Sequence, residues 1–212
     1  RLCVRGAGDN AFVSGADISE FEEKRSSPEL VRIYGEASEK ATEALRHASK
    51  PTIAMIRGFC IGGGVSVALS CDMRIAGEGA KLGVPAAKLG LGYEYRGVRK
   101  LVDVVGPALA KEIFFTARQF TAAEALTRGL INRMVPDEHL EKYVQEYAEL
   151  IAANAPLTVS SIKTIVDEVV KDDSRRDLAL FQPVVDRCFH SEDYGEGRTE
   201  CMQNANPAHR GR

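Results

Sequence analysis

In Gly58-Phe59-Cys60-Ile61-Gly62-Gly63-Gly64-Val65-Ser66, three consecutive glycines join two apolar runs. Thr52–Ile56 before them is predicted to be a buried strand, and Val65–Leu69 after them is predicted to begin a short helix. The glycines leave backbone N–H groups uncovered by side chains, and the first N–H groups of a helix have no intrahelical partner. The junction therefore predicts a site for an anion, either bound or developing in a transition state.

Outward from this junction, the first half of the chain is predicted to be α/β and the second half helical. A second apolar run, Met73–Ala76, follows the short helix, and such an order favours parallel strands joined by a right-handed crossover. Thr121–Glu124 has the pattern of a capping box. We therefore predict an α/β core over 1–135 and a helical region over 136–212. Helices are predicted at 28–47, at 107–116, from Asp137, from Pro156, at 174–188 and after Ser191, and irregular segments at 12–18 and 80–97.

The bulk composition is ordinary for a globular protein in water. The chain has 212 residues, of which 44% are hydrophobic and 27% charged, and its formal net charge is −2. This balance gives no support for nucleic acid as a partner. No apolar run approaches the ~20 residues that a membrane span needs, so no membrane partner is expected.

The cysteines predict neither a disulfide framework nor a metal site. Their number is odd and no pair has CxxC spacing, so we expect reduced thiols in a cytoplasmic protein and no bound metal. They are Cys3, Cys60, Cys71, Cys188 and Cys201. The chain also opens on Arg1-Leu2-Cys3-Val4, which looks like a strand entered partway, so residues upstream are expected to be missing.

The sequence matches other common patterns of catalytic and cofactor-binding sites only weakly. Gly6–Ala11 fits the dinucleotide pattern G-x-G-x-x-A, but Phe12–Asp17 after it does not look like the helix that such a site needs. Ser66 follows the glycines without any partner base that can be named for a nucleophile. The histidines lie in or beside helical segments without ligand spacing, and they are His47, His139, His190 and His209.

A second segment of small residues, Ser14–Asp17, can bring another uncovered N–H to the glycine junction. Two N–H donors that converge on one oxygen would form an oxyanion hole. The alternative is that the glycines only allow backbones to pack closely.

The order of several motifs resembles the crotonase (enoyl-CoA hydratase/isomerase) superfamily, from Leu2 to about Gly197. The family's first strands are absent, which agrees with missing upstream residues. The matching segments are Ala11–Ile18, Lys50–Ala54, Gly58–Gly64, Cys71–Ala76, Leu89–Gly92, Thr121–Ala125, Val135–Pro136 and Ala155–Pro156.

The resemblance implies an α/β crotonase (ClpP/crotonase-like) spiral of strand–strand–helix turns, followed by a helical C-terminal region that builds a homotrimer or a dimer of trimers. It implies an acyl-CoA thioester as the substrate, with coenzyme A as part of that substrate and no separate cofactor. By motif position, the backbone N–H groups of Ala16 and Gly63 would hold the thioester oxygen and stabilise an enolate. The substrate-binding residues would include Ser14, Gly15, Asp17, Ile18, Gly62, Ala86 and Arg96.

Two positions depart from the pattern of the family's hydratases. These enzymes place one catalytic glutamate two residues after the third glycine, where this chain has Ser66, and another after the proline of G-x-P-E, where it has Ala86. Water addition needs a general base and an acid, which serine and alanine cannot supply together. The sequence therefore argues against the ordinary hydratase mechanism.

Decarboxylation of a small malonyl-type acyl-CoA is the leading prediction for the reaction. Tyr93 after Gly92, with Lys111–Ala117 and Ser191–Gly197, resembles the methylmalonyl-CoA decarboxylases of the family. Loss of CO₂ generates the enolate directly, so no carboxylate base is needed. Tyr93 would then orient the substrate carboxylate with help from Arg96.

Three alternatives stay open. A hydratase/isomerase or a thioester hydrolase would need a base at a non-standard position, such as Glu94 in the loop after Tyr93. In any of the catalytic readings, Ser66 is a candidate catalytic residue because of its position at the junction. The third alternative is a non-catalytic acyl-CoA-binding protein that kept the oxyanion hole and lost its acids.

Overall fold

A computed structural model describes residues 2–17, 19, 26–203, 209 and 211. The chain divides into two compact units. One comprises 2–48 and 52–144, and the other comprises 49–51 and 145–212. The division into domains at 135/136 stays a prediction.

The first unit contains two four-stranded sheets, in the orders β1-β3-β5-β8 and β2-β4-β6-β7. From β1 to β6 successive strands alternate between the sheets, so each strand–strand turn adds one strand to each, whereas β7 joins the same sheet as β6. All pairs are parallel except β6–β7, which is antiparallel. The strands are β1 Leu2–Val4, β2 Ala11–Val13, β3 Thr52–Ile56, β4 Phe59–Ile61, β5 Met73–Gly77, β6 Lys81–Gly83, β7 Phe120–Thr121 and β8 Arg133–Val135.

Eight α-helices connect and follow these strands in the described part of the chain. They are α1 Pro28–Arg46, α2 Gly63–Leu69, α3 Tyr95–Thr116, α4 Ala122–Thr127, α5 Leu140–Ala152, α6 Pro156–Val169, α7 Phe181–Phe189 and α8 Glu192–Gln203. Short 3₁₀ turns cover Ala86–Leu89, Asp137–His139, Asp173–Arg175 and Leu178–Leu180. Of these helices, none is long and apolar enough to cross a membrane.

The core of the first unit lies around β3, whose five residues are all buried. A strand covered on both faces is expected to be continuously apolar, as Thr52–Ile56 nearly is. Arg74 of β5 is also buried, and its guanidinium donates to the backbone carbonyls of Leu130 at 2.8 Å and Cys71 at 3.1 Å. Because Cys71 lies just past the C-terminus of α2, this side chain fixes the helix that begins at the glycines. Burial lowers the pKa of Arg74.

Several sequence predictions are confirmed. The strand Thr52–Ile56 and the capping box of α4 are present, with Thr121 accepting from the Glu124 N–H and the Glu124 carboxylate accepting from the Thr121 N–H. Pro156 begins α6 in the first turn, where its missing N–H has no cost. Ser191 caps α8 by accepting from the Tyr194 N–H.

Other predictions were wrong, mainly for strands of three residues. Residues 12–18 were predicted to be irregular, but β2 lies at Ala11–Val13, and β4 at Phe59–Ile61 separates Gly58 from the other glycines. The predicted loop 80–97 contains β6, a 3₁₀ turn and the start of α3. These strands are too short for period-two alternation to be visible, and their pairing partners lie dozens of residues away.

Two predicted helices also need correction. The helix expected at 107–116 is the second half of α3, which begins at Tyr95 and has a break at Gly106, where φ is 76°. The helix expected at 174–188 consists of two 3₁₀ turns followed by α7. Pro107 explains the break in α3, because proline removes a helix donor and favours a new first turn.

Candidate active site

The glycine junction has a backbone that only glycine adopts readily. Gly62 precedes α2 with φ of 57° and ψ of −113°, and its N–H donates to the Gly83 carbonyl of β6 at 2.8 Å. Gly63 is the first residue of α2. Within the described ranges, no protein acceptor takes the Gly63 N–H, which is expected of the first turn of a helix.

A close backbone contact brings the end of β2 against the start of α2. A Cβ on Gly64 would lie 2.2 Å from the carbonyl oxygen of Val13, and a Cβ on Gly58 would lie 2.0 Å from that of Asn10. These two glycines are therefore needed for packing, as the alternative interpretation held. Gly63 is different, because a Cβ there would meet nothing within 4 Å. The glycine motif therefore has two roles. Gly58 and Gly64 allow close packing of backbones, and Gly63 leaves its N–H group uncovered.

Ser14-Gly15-Ala16 follows directly after this contact. Gly15 has φ of 110°, in the region that favours glycine, and a Cβ there would lie 3.5 Å from the Ile61 carbonyl. The Ala16 N–H has no protein acceptor in the part of the chain that the structure describes. Both predicted donors are therefore unpaired, and both belong to the wall of one cavity.

This cavity has a volume of about 780 Å³ and is open to solvent. Such a volume suits a small organic ligand. Asp17 lies outside the wall, and its carboxylate accepts from the N–H and hydroxyl of Ser19. Ile18 lies outside the described residues. The predicted site residues in the wall are Ser14, Gly15, Ala16, Gly62, Gly63, Ser66, Ala86, Tyr93 and Arg96.

Tyr93 is held by an aromatic contact and a glycine. Its ring packs edge to face against Phe114, with centroids 4.9 Å apart. A Cβ on Gly97 would lie 3.0 Å from Cε1 of Tyr93, so the first turn of α3 leaves room for the ring. The structure thus fixes Tyr93 in the wall, while Arg96 is 71% exposed and forms an ion pair with Glu39.

Sequence reasoning missed the contribution of α1 to this wall. Glu39 and Glu43, one helical turn apart, face the cavity together with Lys100 of α3. Glu43 forms an ion pair with Lys100 at 3.4 Å, and its other carboxylate oxygen lies within hydrogen-bond distance of His47 Nε2, at 3.1 Å. Burial alone would raise the pKa of Glu43, but Lys100, Arg46 and His47 together lower it below its ordinary value. The only sequence pattern that indicates this contribution is a pair of glutamates at positions i and i+4 of a predicted helix.

Glu94 is the third wall carboxylate, and it differs from the other two. Among the described residues, no cation and no hydrogen-bond donor engages its carboxylate. Oε1 of Glu94 lies 3.1 Å from the point where a Cβ on Gly35 would stand. Glycine inside a helix costs about 0.5–1 kcal/mol relative to alanine, and here it makes room for this carboxylate.

Comparison with known proteins identifies the family. A model of the family described as enoyl-CoA hydratase/isomerase matches residues 2–212, nearly the whole chain. The chain belongs to the enoyl-CoA hydratase/isomerase family. This result confirms the resemblance at superfamily level, whereas nothing in the comparisons supports the finer likeness to methylmalonyl-CoA decarboxylases.

Two of the similar relatives are bacterial proteins named as hydratases. The chain is 37% identical over 202 residues to a short-chain-enoyl-CoA hydratase of Clostridium acetobutylicum, covering 95% of this chain and 77% of that protein. It is 35% identical over 202 residues to a crotonyl-CoA hydratase of Syntrophomonas wolfei, with the same coverage.

Solved structures of the enoyl-CoA hydratase/isomerase family match the fold closely. One is an enoyl-CoA hydratase/carnithine racemase from Magnetospirillum magneticum, with a TM-score of 0.93 and 33% identity, covering 99% of this chain and 78% of that one. A second, from Hyphomonas neptunium, has a TM-score of 0.91 and 36% identity, covering 99% and 80%. The predicted crotonase-type α/β fold is therefore confirmed.

The contact between Gly64 and Val13 leads to a first prediction. Gly64→Ala places a methyl group 2.2 Å from the Val13 carbonyl oxygen, so either strand or helix must move. We expect the free energy of unfolding to fall by about 1–3 kcal/mol, measured by urea denaturation. Gly8→Ala is the matched control, because its methyl meets nothing within 4 Å. Equal stability of the Gly64→Ala variant and the wild type would contradict the contact.

Proposed function

We propose that this chain catalyses enoyl-CoA hydratase or isomerase chemistry on a thioester enolate. The observation that carries the proposal is the pair of unpaired N–H groups at Ala16 and Gly63 in the wall of one cavity. Donors aimed at an oxygen where negative charge develops stabilise that charge in the transition state. The names of the bacterial relatives support an enoyl-CoA substrate.

We propose Glu94 as the acid–base group, since Ser66 and Ala86 occupy the positions of the family's usual glutamates. In hydration, the carboxylate takes a proton from water while the oxygen bonds to the β-carbon. The π electrons move to the thioester oxygen, and the protonated Glu94 then returns its proton to the α-carbon of the resulting enolate, which regenerates the carboxylate. In isomerisation, the same carboxylate moves a proton between the γ- and α-carbons. The unpaired state of Glu94 and the space at Gly35 support this role.

A variant of Glu94 tests this assignment. Glu94→Gln keeps the shape and removes the base, so we expect kcat for crotonyl-CoA hydration to fall by about 10²–10⁴-fold. The KM should change much less, because binding of the thioester oxygen is left intact. Steady-state kinetics at the absorbance of the enoyl thioester measure both constants.

Two further variants serve as comparisons for the Glu94→Gln variant. Glu138→Gln changes an exposed glutamate outside the cavity wall and should leave kcat unchanged. Gly35→Ala makes the Glu94 carboxylate shift by only a few tenths of an ångström, so it should lower kcat far less than Glu94→Gln does. Normal hydration by the Glu94→Gln variant would exclude Glu94 as the base.

Decarboxylation is the second candidate, because no carboxylate stands at positions 66 and 86 of the wall. In that reaction the bond between the α-carbon and the carboxylate breaks, CO₂ leaves, and the electron pair enters the thioester enolate. Tyr93 would orient the departing carboxylate and Arg96 would assist.

Mass spectrometry of products separates the two reactions and the non-catalytic alternative. The protein is incubated with crotonyl-CoA and with methylmalonyl-CoA. We expect a gain of water by crotonyl-CoA. Loss of CO₂ from methylmalonyl-CoA without hydration would favour the decarboxylase, and binding of both thioesters without turnover would favour a non-catalytic acyl-CoA-binding protein.

We also propose that the chain assembles as a homotrimer or a dimer of trimers. An apolar face of α6 supports association, since Ile162, Val166 and Val169 are each more than half exposed in the single chain. Light scattering that finds only monomers would contradict this. The cytoplasmic location stays a prediction.

A further inference from the structure

Helix α1 contributes little to the protein core. It runs from Pro28 to Arg46, the structure describes all 19 of its residues, and only Thr42 among them is buried. Most of the stability of a helix in a protein comes from packing of its apolar face rather than from intrinsic propensity. Helix α1 therefore lacks much of the burial that usually stabilises a helix of this length.

One face of α1 borders the cavity where a helix ordinarily meets the core. Val31, Gly35, Ser38 and Thr42 belong to the cavity wall, and their spacing of four, three and four residues places them on one side of the helix. Ile33, which lies outside the wall, is 49% exposed, and Val31 is 45% exposed. The two side chains are thus alike in chemistry and exposure, but only Val31 faces the cavity.

The cavity-facing side of α1 changes from apolar to charged along the helix. Its C-terminal half carries Glu39 and Glu43, which form ion pairs with Arg96 and Lys100 of α3. Over residues 28–37, which the structure describes completely, no charged side chain belongs to the wall. An alkyl chain beside the ion pairs would displace water from charged groups, which costs free energy. The N-terminal half is therefore the end that suits an alkyl chain.

Two leucines of another segment belong to the same wall as Val31. Leu89 ends the 3₁₀ turn Ala86–Leu89 and is 53% exposed, and Leu91, two residues later, is 38% exposed. Tyr34, on the cavity side of α1, is half-buried. Apolar side chains that line a cavity and remain open to solvent favour an apolar ligand, because its binding removes their surface from water.

We propose that Val31, Tyr34, Leu89 and Leu91 form a subsite for the distal alkyl part of the acyl chain, so that the protein prefers acyl-CoAs of about six to eight carbons. This inference rests on the proposed function, because it takes Glu94 to act on the carbons next to the thioester. The bound chain supplies the N-terminal half of α1 with the apolar contact that the core does not provide.

The preferred chain length follows from the position of Glu94. Oε1 of Glu94 lies 3.1 Å from the point where a Cβ on Gly35 would stand. Val31 precedes Gly35 by about one helical turn, or about 6 Å along the axis. With C–C bonds of about 1.5 Å, an extended alkyl chain covers this distance with about five carbon atoms. A butyryl group therefore ends short of Val31, whereas a hexanoyl or octanoyl group reaches it.

Calorimetric binding of saturated thioesters tests the subsite without requiring turnover. The dissociation constants of butyryl-CoA and hexanoyl-CoA are compared, with free coenzyme A as the ligand without an acyl chain. Each buried methylene group contributes about fourfold to affinity, so we expect hexanoyl-CoA to bind about tenfold more tightly than butyryl-CoA. Free coenzyme A should bind equally well to the wild type and to variants of Val31.

Val31→Ser should weaken the binding of hexanoyl-CoA more than that of butyryl-CoA, so that the preference falls from about tenfold to about threefold or less. Ile33→Ser is the matched control, because it makes the same kind of change at a similarly exposed position of α1 outside the wall. It should leave both constants unchanged. Leu89→Ser, on a different segment of the wall, should lower the preference as Val31→Ser does.

Hydrogen exchange of the backbone amides gives a second readout at saturating ligand. Because a longer chain supplies more apolar contact to α1, exchange over residues 28–37 should be slower with hexanoyl-CoA than with butyryl-CoA. Equal exchange with the two thioesters would contradict docking of α1 on the chain.

Three binding results would overturn the proposal: equal affinity of the wild type for butyryl-CoA and hexanoyl-CoA, the same effect of Val31→Ser and Ile33→Ser, or weaker binding of free coenzyme A to Val31→Ser. The last result would place the coenzyme, and not the acyl chain, at Val31. A protein that hydrates no enoyl-CoA but keeps the length preference would retain the subsite. A protein that hydrates crotonyl-CoA without a length preference would lose only the subsite.

Discussion

The contact between the end of β2 and the start of α2 is the constraint on which the site depends. No Cβ fits between Gly64 and the Val13 carbonyl, so glycine there lets two segments from different turns of the spiral touch through their backbones. Ala16, three residues after Val13, and Gly63, next to Gly64, both lie in the wall of one cavity, and among the described residues no protein acceptor takes their N–H groups. Buried Arg74, bonded to the backbone just beyond α2, keeps that helix in place.

The backbone N–H groups of this scaffold are separate from the side chains that would transfer protons. Backbone N–H groups stabilise an enolate whatever reaction produces it, because they act on charge and not on a particular bond. The proposed acid–base group, Glu94, comes from another element, the loop before α3. Serine and alanine at positions 66 and 86 are therefore compatible with the proposed oxyanion hole, provided that another carboxylate such as Glu94 reaches the substrate.

Much of the scaffold could be predicted from sequence, because its signals are local. The buried strand Thr52–Ile56, the glycine junction and the capping box of α4 each depend on residues close together in the chain. The strands β2, β4 and β6 could not be predicted this way, since three residues carry no periodicity and pairing decides their conformation. The contribution of α1 and α3 to the cavity wall could not be predicted either. In the sequence, Glu39, Glu43 and Lys100 look like ordinary charged residues of helices, and only the packing of α1 beside α3 brings them to one cavity.

Exchange of α-protons on a saturated thioester tests the account's central claim most directly. Butyryl-CoA has no double bond to hydrate and no carboxylate to lose, so only enolate formation can exchange its α-hydrogens. The account predicts that the protein in D₂O incorporates deuterium at the α-carbon of butyryl-CoA, observed by proton NMR. Saturating binding of butyryl-CoA without any deuterium incorporation would contradict an oxyanion hole that works together with a carboxylate base.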